Sequence, residues 1–276
     1  MTTSRNHSQP GIGLAIATVV AIVGTLVVNT LSNIFPPGGK NVGEIANTIL
    51  QGVLITPANY AFAIWGVIYL GLIAYGLYQL NPERRRKAQI QQVNKLLIGA
   101  CIAQIIWIFL FTLQQFWWSL LAMLVILLTL VGIYLTLDIG HGPVSRRRRW
   151  MAHIPFSLYL GWIAVATIVN VASTLYVSGW SGWGISAVTW TAIMIVVAAL
   201  VAEVVIFRRG DVAFTLVFVW AFVAIAVRQQ AIPVLQATAL IAAAVLLAWL
   251  VWVKAHAPRL AKPQTAGGVD QTSRLP

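Results

Sequence analysis

One uninterrupted apolar segment, Pro57 to Tyr78, constrains the fold of this chain more than any other feature. It contains no charged residue and is long enough to cross a bilayer as a helix, which takes about 20 apolar residues. Four large aromatic residues lie near its start: Tyr60, Phe62, Trp65 and Tyr69. Such rings either anchor a helix at the level of the lipid headgroups or line a pocket for a flat apolar ligand. The segment alone leaves both interpretations open.

The composition indicates an integral membrane protein. Hydrophobic residues make up 59% of the sequence and charged residues only 9%, against about 25% charged residues in soluble domains. The excess of 18 Lys and Arg over 6 Asp and Glu would suggest nucleic-acid binding in a soluble protein. Here these charges lie in short loops between apolar spans, as membrane topology requires. We therefore expect an integral membrane protein with the lipid bilayer, and no nucleic acid, as its partner.

The residue types that commonly carry catalysis are sparse. Cys101 is the single cysteine and lies inside an apolar run, so neither a disulfide nor a cysteine-based metal site is expected. The four histidines are scattered and show no ligand spacing. Nothing in the sequence resembles a general acid–base pair or an activated nucleophile. We expect no metal, no cofactor and no catalytic residue, so an enzyme is the less favoured interpretation.

Eight apolar segments of spanning length predict an all-α fold, a polytopic membrane helix bundle. They lie at about residues 11–35, 60–80, 96–113, 119–138, 152–173, 187–207, 212–229 and 234–253. Residues 1–10 form a polar tail before them, and residues 254–276 form a polar tail after them that we expect to be disordered. The long connection between the first two spans is expected to be an interfacial helix or a lid.

The distribution of basic residues predicts the orientation. With the N-terminus in the cytoplasm, sixteen of the 18 Lys and Arg residues fall in cytoplasmic segments, and only Lys40 and Arg228 fall outside. This bias follows the positive-inside rule. We expect both termini in the cytoplasm, the host membrane to be a bacterial plasma membrane, and Arg228 to snorkel to the interface.

Three spans carry aromatic motifs that are more informative together than singly. The second contains TPANYAFAIWGVIY, the third contains Gln104 and Trp107 followed by a turn with Trp118, and the fifth contains SLYLGWIAVATIVN, residues 157–170. In this order the motifs resemble those of the tryptophan-rich sensory protein/translocator protein family (TspO/MBR, the peripheral benzodiazepine receptor family). Tyr60 stands where that family usually has Trp, and Ser157 replaces a Pro. The resemblance covers about residues 15–175.

The resemblance implies a five-helix unit, residues 11–175, whose internal pocket is closed by the first loop. Family members bind tetrapyrroles such as protoporphyrin IX and act as sensors or regulators; some also bind sterols. The sterol-linked pattern is not carried over, since Tyr176 has no Lys or Arg within the five residues after it. The last three spans, residues 176–253, have no counterpart in the minimal five-helix family.

The ligand-binding site that we predict combines an aromatic wall with sparse polar contacts, as small-molecule pockets do. Its expected ligand is a porphyrin or another flat apolar molecule, and a homodimer is a possible assembly. The predicted site residues are Asn29, Pro57, Tyr60, Phe62, Trp65, Tyr69, Gln104, Trp107, Trp118, Trp162, Ala166 and Asn170.

Two other functions stay open at the level of sequence. One is a transporter of small amphiphiles, although no internal repeat or pair of Gly/Pro-broken helices indicates it. The other is light-dependent degradation of porphyrin, in which Trp65 or Trp162 takes part in electron transfer. Flux into liposomes would indicate the first, and light-dependent product formation would indicate the second.

Overall fold

The structure, a computed structural model, describes residues 11–256, and every regular element in that range is helical. The all-α prediction is confirmed. Residues 1–10 and 257–276, and with them most of the tail predicted to be disordered, lie outside the described residues.

Eight long helices follow one another and match the eight predicted spans in order. They are α1 Ile12–Ile34, α2 Ile64–Gln79, α3 Ala88–Thr112, α4 Phe116–Thr136, α5 Ile154–Val177, α6 Ala187–Arg209, α7 Val212–Arg228 and α8 Pro233–His256. Short helical segments lie between them at Val42–Thr48, Asn59–Ala63, Pro82–Arg85, Arg146–Arg148, Arg149–His153 and Gly182–Gly184. Seven of the long helices are long and apolar enough to cross a membrane, α2 when it is counted together with the short helix before it as Asn59–Gln79. The remaining one, α7, has 17 residues and rises about 25 Å.

The first five long helices close into a ring. Helix α1 packs against α2 and α3, α4 packs against α3 and α5, and α5 returns to α2. The other three helices, which we call the extension (residues 187–256), pack on one another and join the ring mainly through contacts between α7 and α5. Gly161 of α5 allows the two helices to pack closely at this joint, because a Cβ there would lie only 3.2 Å from the Phe214 carbonyl oxygen. Small residues permit such close approach between membrane helices.

Helix α3 begins eight residues earlier than the predicted span, at Ala88 rather than residue 96. One of the polar residues that obscured this start, Asn94, is buried and fully paired. Asn94 donates to the Gln79 side chain at 3.0 Å and accepts from the Tyr75 hydroxyl at 2.7 Å. Gln79 in turn donates to the Ala15 carbonyl oxygen at 2.9 Å, so the hydrogen bonds cross from α3 through α2 to α1. A hydropathy scale gives a polar residue the same value whether or not its hydrogen bonds are satisfied inside the protein. It therefore does not detect a helix start of this kind.

The basic loops gather at one end of the bundle, which we call the basic end. Arg209, at the end of α6, contacts Asp138, after α4, with an Nη1–Oδ1 distance of 3.0 Å. Arg148, before α5, donates to the Leu137 carbonyl oxygen at 3.1 Å. Arg228 lies at the opposite end, at the C-terminus of α7. The clustering agrees with the predicted charge pattern, whereas the side of the membrane that each end faces stays a prediction.

Candidate functional site

A cavity of about 390 Å³ lies inside the five-helix ring, at the end away from the basic end. This volume is in the range of small-molecule sites, about 300–1,000 Å³. Its lining comes from α1, the connection before α2, and helices α2 to α5. The residues are Asn29, Ser32, Asn33, Asn41, Val42, Gly43, Glu44, Ala46, Asn47, Leu50, Thr56, Pro57, Asn59, Phe62, Trp65, Trp107, Ile108, Phe111, Met123, Trp162, Val165, Ala166, Val169, Asn170 and Ser173.

The connection between α1 and the turn before α2, residues 36–58, covers this cavity, and we call it the lid. Its single helix, Val42–Thr48, begins with a capping box. The Asn41 side chain accepts from the Glu44 amide at 3.0 Å, and the Glu44 carboxylate accepts from the Asn41 amide at 2.7 Å. Such reciprocal bonds satisfy two backbone donors that have no partner in the first turn. The sequence predicted that this connection is an interfacial helix or a lid, and the helix over the cavity agrees with that prediction.

The cavity wall is aromatic on three sides. Phe62 meets Trp162 edge to face, with ring centroids 5.9 Å apart. Trp65 continues this wall, and Trp107 with Phe111 forms the side that α3 contributes, with a centroid distance of 5.0 Å. Rings held by one another in this way present flat apolar surface at little further entropy cost. The arrangement suits a flat, largely apolar molecule.

Several polar atoms of the lining have no protein partner. The Thr56 side chain is only 2% exposed, and its hydroxyl is buried without a hydrogen bond. Among the residues that the structure describes, the indole nitrogens of Trp65 and Trp162 also make no hydrogen bond. A buried polar group without a partner costs about 1–3 kcal/mol. A ligand acceptor that reaches the Thr56 hydroxyl would remove that cost, and the indole nitrogens of Trp65 and Trp162 are further donors for a ligand.

Asn170 has a structural role as well as a place in the lining. It accepts from the Trp107 indole nitrogen at 2.8 Å and donates to the Ser119 hydroxyl at 3.2 Å. These bonds join α5 to α3 and α4, and all three side chains are buried. Asn170 therefore fixes the orientation of the Trp107 ring, and its own amide is already engaged.

Eight of the twelve predicted site residues line the cavity: Asn29, Pro57, Phe62, Trp65, Trp107, Trp162, Ala166 and Asn170. Two others lie behind the wall. Tyr69 stacks beneath Trp65 with a centroid distance of 5.4 Å. Gln104 is fully buried, and its side-chain oxygen lies 3.4 Å from the Tyr159 hydroxyl. Both support the wall and do not face the space inside it.

The last two predicted site residues lie away from the cavity. Trp118 is 62% exposed on the outer surface of α4, where an indole anchors a helix at the membrane interface. Tyr60 is 41% exposed and meets Trp220 of α7 edge to face, at 5.2 Å. Its neighbour belongs to the extension, which the five-helix resemblance does not include. Neither residue is part of the cavity lining, so a role of either residue in ligand binding stays a prediction.

Sequence reasoning missed part of the lining. Phe111 lies one helical turn after Trp107, so the spacing of four residues was a usable signal. Met123 and Thr56 had no such signal. The lid residues that line the cavity, such as Asn47 and Leu50, are brought there by the path of the chain and not by a local pattern.

A second cavity of about 290 Å³ lies on the other side of the lid, between the end of α5 and the start of α6. Residues 52–55 of the lid line it together with Ala172, Trp180 and Trp190. Within residues 11–256, no group of three or more His, Cys, Asp and Glu side chains is placed to hold a metal ion.

Comparison with known proteins gives one family. The family model described as TSPO-like protein matches residues 15–252. This match extends the motif resemblance, which ended near residue 175, through nearly all of the extension. No curated protein and no solved structure matches the chain significantly.

Proposed function

Because this chain belongs to the TSPO-like protein family, we propose that it is a membrane receptor that binds a tetrapyrrole, or a molecule of similar flat shape, in the cavity under its lid. One observation carries the proposal: an aromatic cavity within the five-helix ring is lined by Thr56, whose buried hydroxyl has no hydrogen-bond partner. Native proteins leave few buried polar groups without a partner, and the Tyr69 hydroxyl and the Gln104 side-chain nitrogen, behind the cavity wall, are in the same state. A receptor role is favoured because binding alone accounts for the groups that line the cavity among residues 11–256.

The distribution of side chains suggests how the ligand lies. Rings of α2, α3 and α5 surround the inner part of the cavity, and carboxamides gather towards α1 and the lid: Asn29, Asn33, Asn41, Asn47 and Asn59. We expect the flat apolar body to enter between Trp65 and Trp162. Its polar edge would then meet the carboxamides, which both donate and accept hydrogen bonds.

The test is an absorbance titration of protoporphyrin IX into the detergent-purified protein, together with quenching of tryptophan fluorescence. Saturable binding is expected, and Trp65→Phe and Trp162→Phe are each expected to weaken it. Trp183→Phe is the matched control, because Trp183 is 78% exposed and lies outside the cavity lining. Binding that does not saturate, or that all three variants leave unchanged, would show partitioning into detergent and would contradict the proposal.

The same titration, with two additions, distinguishes binding from the other two candidate functions, degradation and transport. Loss of porphyrin absorbance only under illumination would indicate degradation, and stable spectra in light and dark would indicate binding alone. Reconstituted protein that moves porphyrin into liposomes would indicate transport. For the cellular setting we propose a bacterial plasma membrane, with both termini in the cytoplasm, and the predicted homodimer is tested by the size of the protein in detergent.

A further inference from the structure

Helix α7 of the extension holds the lid at several points along its length. The Arg228 guanidinium donates to the Asn47 side-chain oxygen at 2.8 Å and to the Ala46 carbonyl oxygen at 3.1 Å. Gln229, the next residue, donates to the Leu54 carbonyl oxygen at 2.6 Å. These three bonds reach both the helix of the lid and the segment that follows it.

Two further hydrogen bonds join α7 to the part of the chain that leads into α2. The Ala58 amide donates to the Ala224 carbonyl oxygen at 3.0 Å. The Trp220 indole nitrogen donates to the Ala61 carbonyl oxygen at 3.2 Å. The contacts therefore run from Ala46 to Ala61, which is the stretch that carries the lid residues over the cavity.

The lid helix needs such external support. It has seven residues, whereas isolated helices shorter than about 12–15 residues are marginal in water. Its N-terminus is capped internally by Asn41 and Glu44. Its C-terminal carbonyl groups have no intrahelical partner, and Arg228 donates to one of them at Ala46. A cation at a helix C-terminus also interacts favourably with the helix dipole.

We propose that the extension is the clamp that keeps the lid closed over the cavity, and that Arg228 is its main positioning residue. Arg228 was expected from sequence to snorkel to the membrane interface, and the structure gives its guanidinium two protein acceptors instead. The consequence for ligand release rests on the proposed function, while the effect on the lid itself does not.

The experiment measures hydrogen exchange of the lid amides in the full-length protein in detergent, without ligand. The amides of Ile49, Leu50 and Val53 report lid opening, since each donates to a carbonyl oxygen within the lid. Arg228→Gln is expected to accelerate their exchange about tenfold to hundredfold, the range for hydrogen bonds to a charged group. Arg208→Gln is the matched control, because Arg208 is exposed at the basic end and should leave the lid unchanged.

A second variant tests the contact from the side of the lid. Asn47→Ala removes one acceptor of Arg228, and the double variant should open the lid less than the two single effects combined, as contacting residues do. Equal lid exchange in the wild type and in Arg228→Gln, or additive effects in the double variant, would overturn the proposal. Unchanged exchange in amides of the α3 core would show that Arg228→Gln is folded.

Protoporphyrin IX dissociation then connects the clamp to the proposed function. Its rate is expected to rise in Arg228→Gln by about the factor seen in lid exchange and to stay constant in Arg208→Gln. Accelerated exchange with no porphyrin binding to either protein would support the clamp and contradict the proposed function. Porphyrin binding with unaltered lid exchange in Arg228→Gln would support the proposed function and contradict the clamp.

Discussion

Ser157 and Asp211 form a buried hydrogen bond of 2.6 Å across the boundary between the five-helix ring and the extension. The same oxygen, Oδ2 of Asp211, accepts from the Tyr134 hydroxyl at 2.9 Å, and Oδ1 accepts from the Phe214 amide at 3.2 Å as the N-cap of α7. Ser157 stands where the five-helix motif usually has Pro, which has no hydroxyl to donate. The departure from the motif thus coincides with the point at which the extension attaches.

We expect Asp211→Ala to destabilise the protein by about 2–4 kcal/mol, because it removes an N-cap and leaves the Tyr134 and Ser157 hydroxyls without an acceptor. Asp211→Asn keeps oxygen and capping capacity and should cost less. The measurement is denaturant unfolding in detergent, followed by circular dichroism. Glu203→Ala is the control, since Glu203 makes no hydrogen bond or ion pair with the described residues; an equal loss in both alanine variants would contradict this role of Asp211.

The Trp107–Asn170 bond predicts that two tryptophans of the same cavity behave differently. Trp107→Phe leaves the buried Asn170 oxygen without its donor and should lower stability by about 1–3 kcal/mol more than Trp162→Phe does. The indole nitrogen of Trp162 has no hydrogen-bond partner within the described residues, so the same substitution there removes ring area only. Thermal unfolding of both variants checks this, and equal melting temperatures would show that the bond contributes nothing.

The sequence was sufficient for the spans because apolar length is a local property that the bilayer itself demands. It was insufficient at the start of α3, where Asn94 is polar yet fully paired by Tyr75 and Gln79. A similar reason separates the predicted site residues that line the cavity from the others. Trp65 and Trp162 line the cavity and Trp118 is exposed on the outer surface, but residue type alone does not distinguish them.

The contacts of the lid with the extension could not be predicted from local sequence patterns. Arg228 and Asn47 are 181 residues apart in sequence, and their contact depends on how the extension packs on the ring. An arginine at the end of an apolar helix is compatible with snorkelling and equally with a protein acceptor. Only the tertiary arrangement decides between them.

Both ends of the described range lie at the basic end, where Gly11 is beside Arg85 and Lys254 is beside Gly210, and this predicts the sidedness of the two termini. By the positive-inside rule, a C-terminal fusion to alkaline phosphatase should be inactive, and a C-terminal fusion to a fluorescent protein should be bright. Phosphatase inserted after Gly39, in the lid, should be active. An active phosphatase at the C-terminus would place the basic end outside the cytoplasm and contradict the predicted orientation.

The environment of Asp138, at the basic end, predicts that the stability of the protein depends on pH. The pKa of its carboxyl lies below the ordinary value, chiefly because His141 hydrogen-bonds to it and also because Arg209 contacts it. A lowered pKa in the folded state adds stability above the unfolded pKa, and this contribution is lost as the pH falls through the folded value. Asp138→Asn should therefore melt below the wild type at neutral pH and converge with it at a pH below the ordinary Asp range. A difference in melting temperature between Asp138→Asn and the wild type that stays constant with pH would exclude the effect.

Filling each of the two cavities separately decides which of them binds porphyrin. Ala166 and Ala172 lie on α5, six residues apart, and Ala166 lines the cavity in the ring while Ala172 lines the second one. Ala166→Phe should weaken protoporphyrin IX binding by about tenfold or more, which corresponds to about 1.4 kcal/mol, because the new ring occupies the space between Trp65 and Trp162. Ala172→Phe adds the same volume to the same helix and should leave the affinity unchanged. If Ala172→Phe alone weakened binding, the ligand would belong in the second cavity, and the aromatic wall around Trp162 would have to be explained by helix packing.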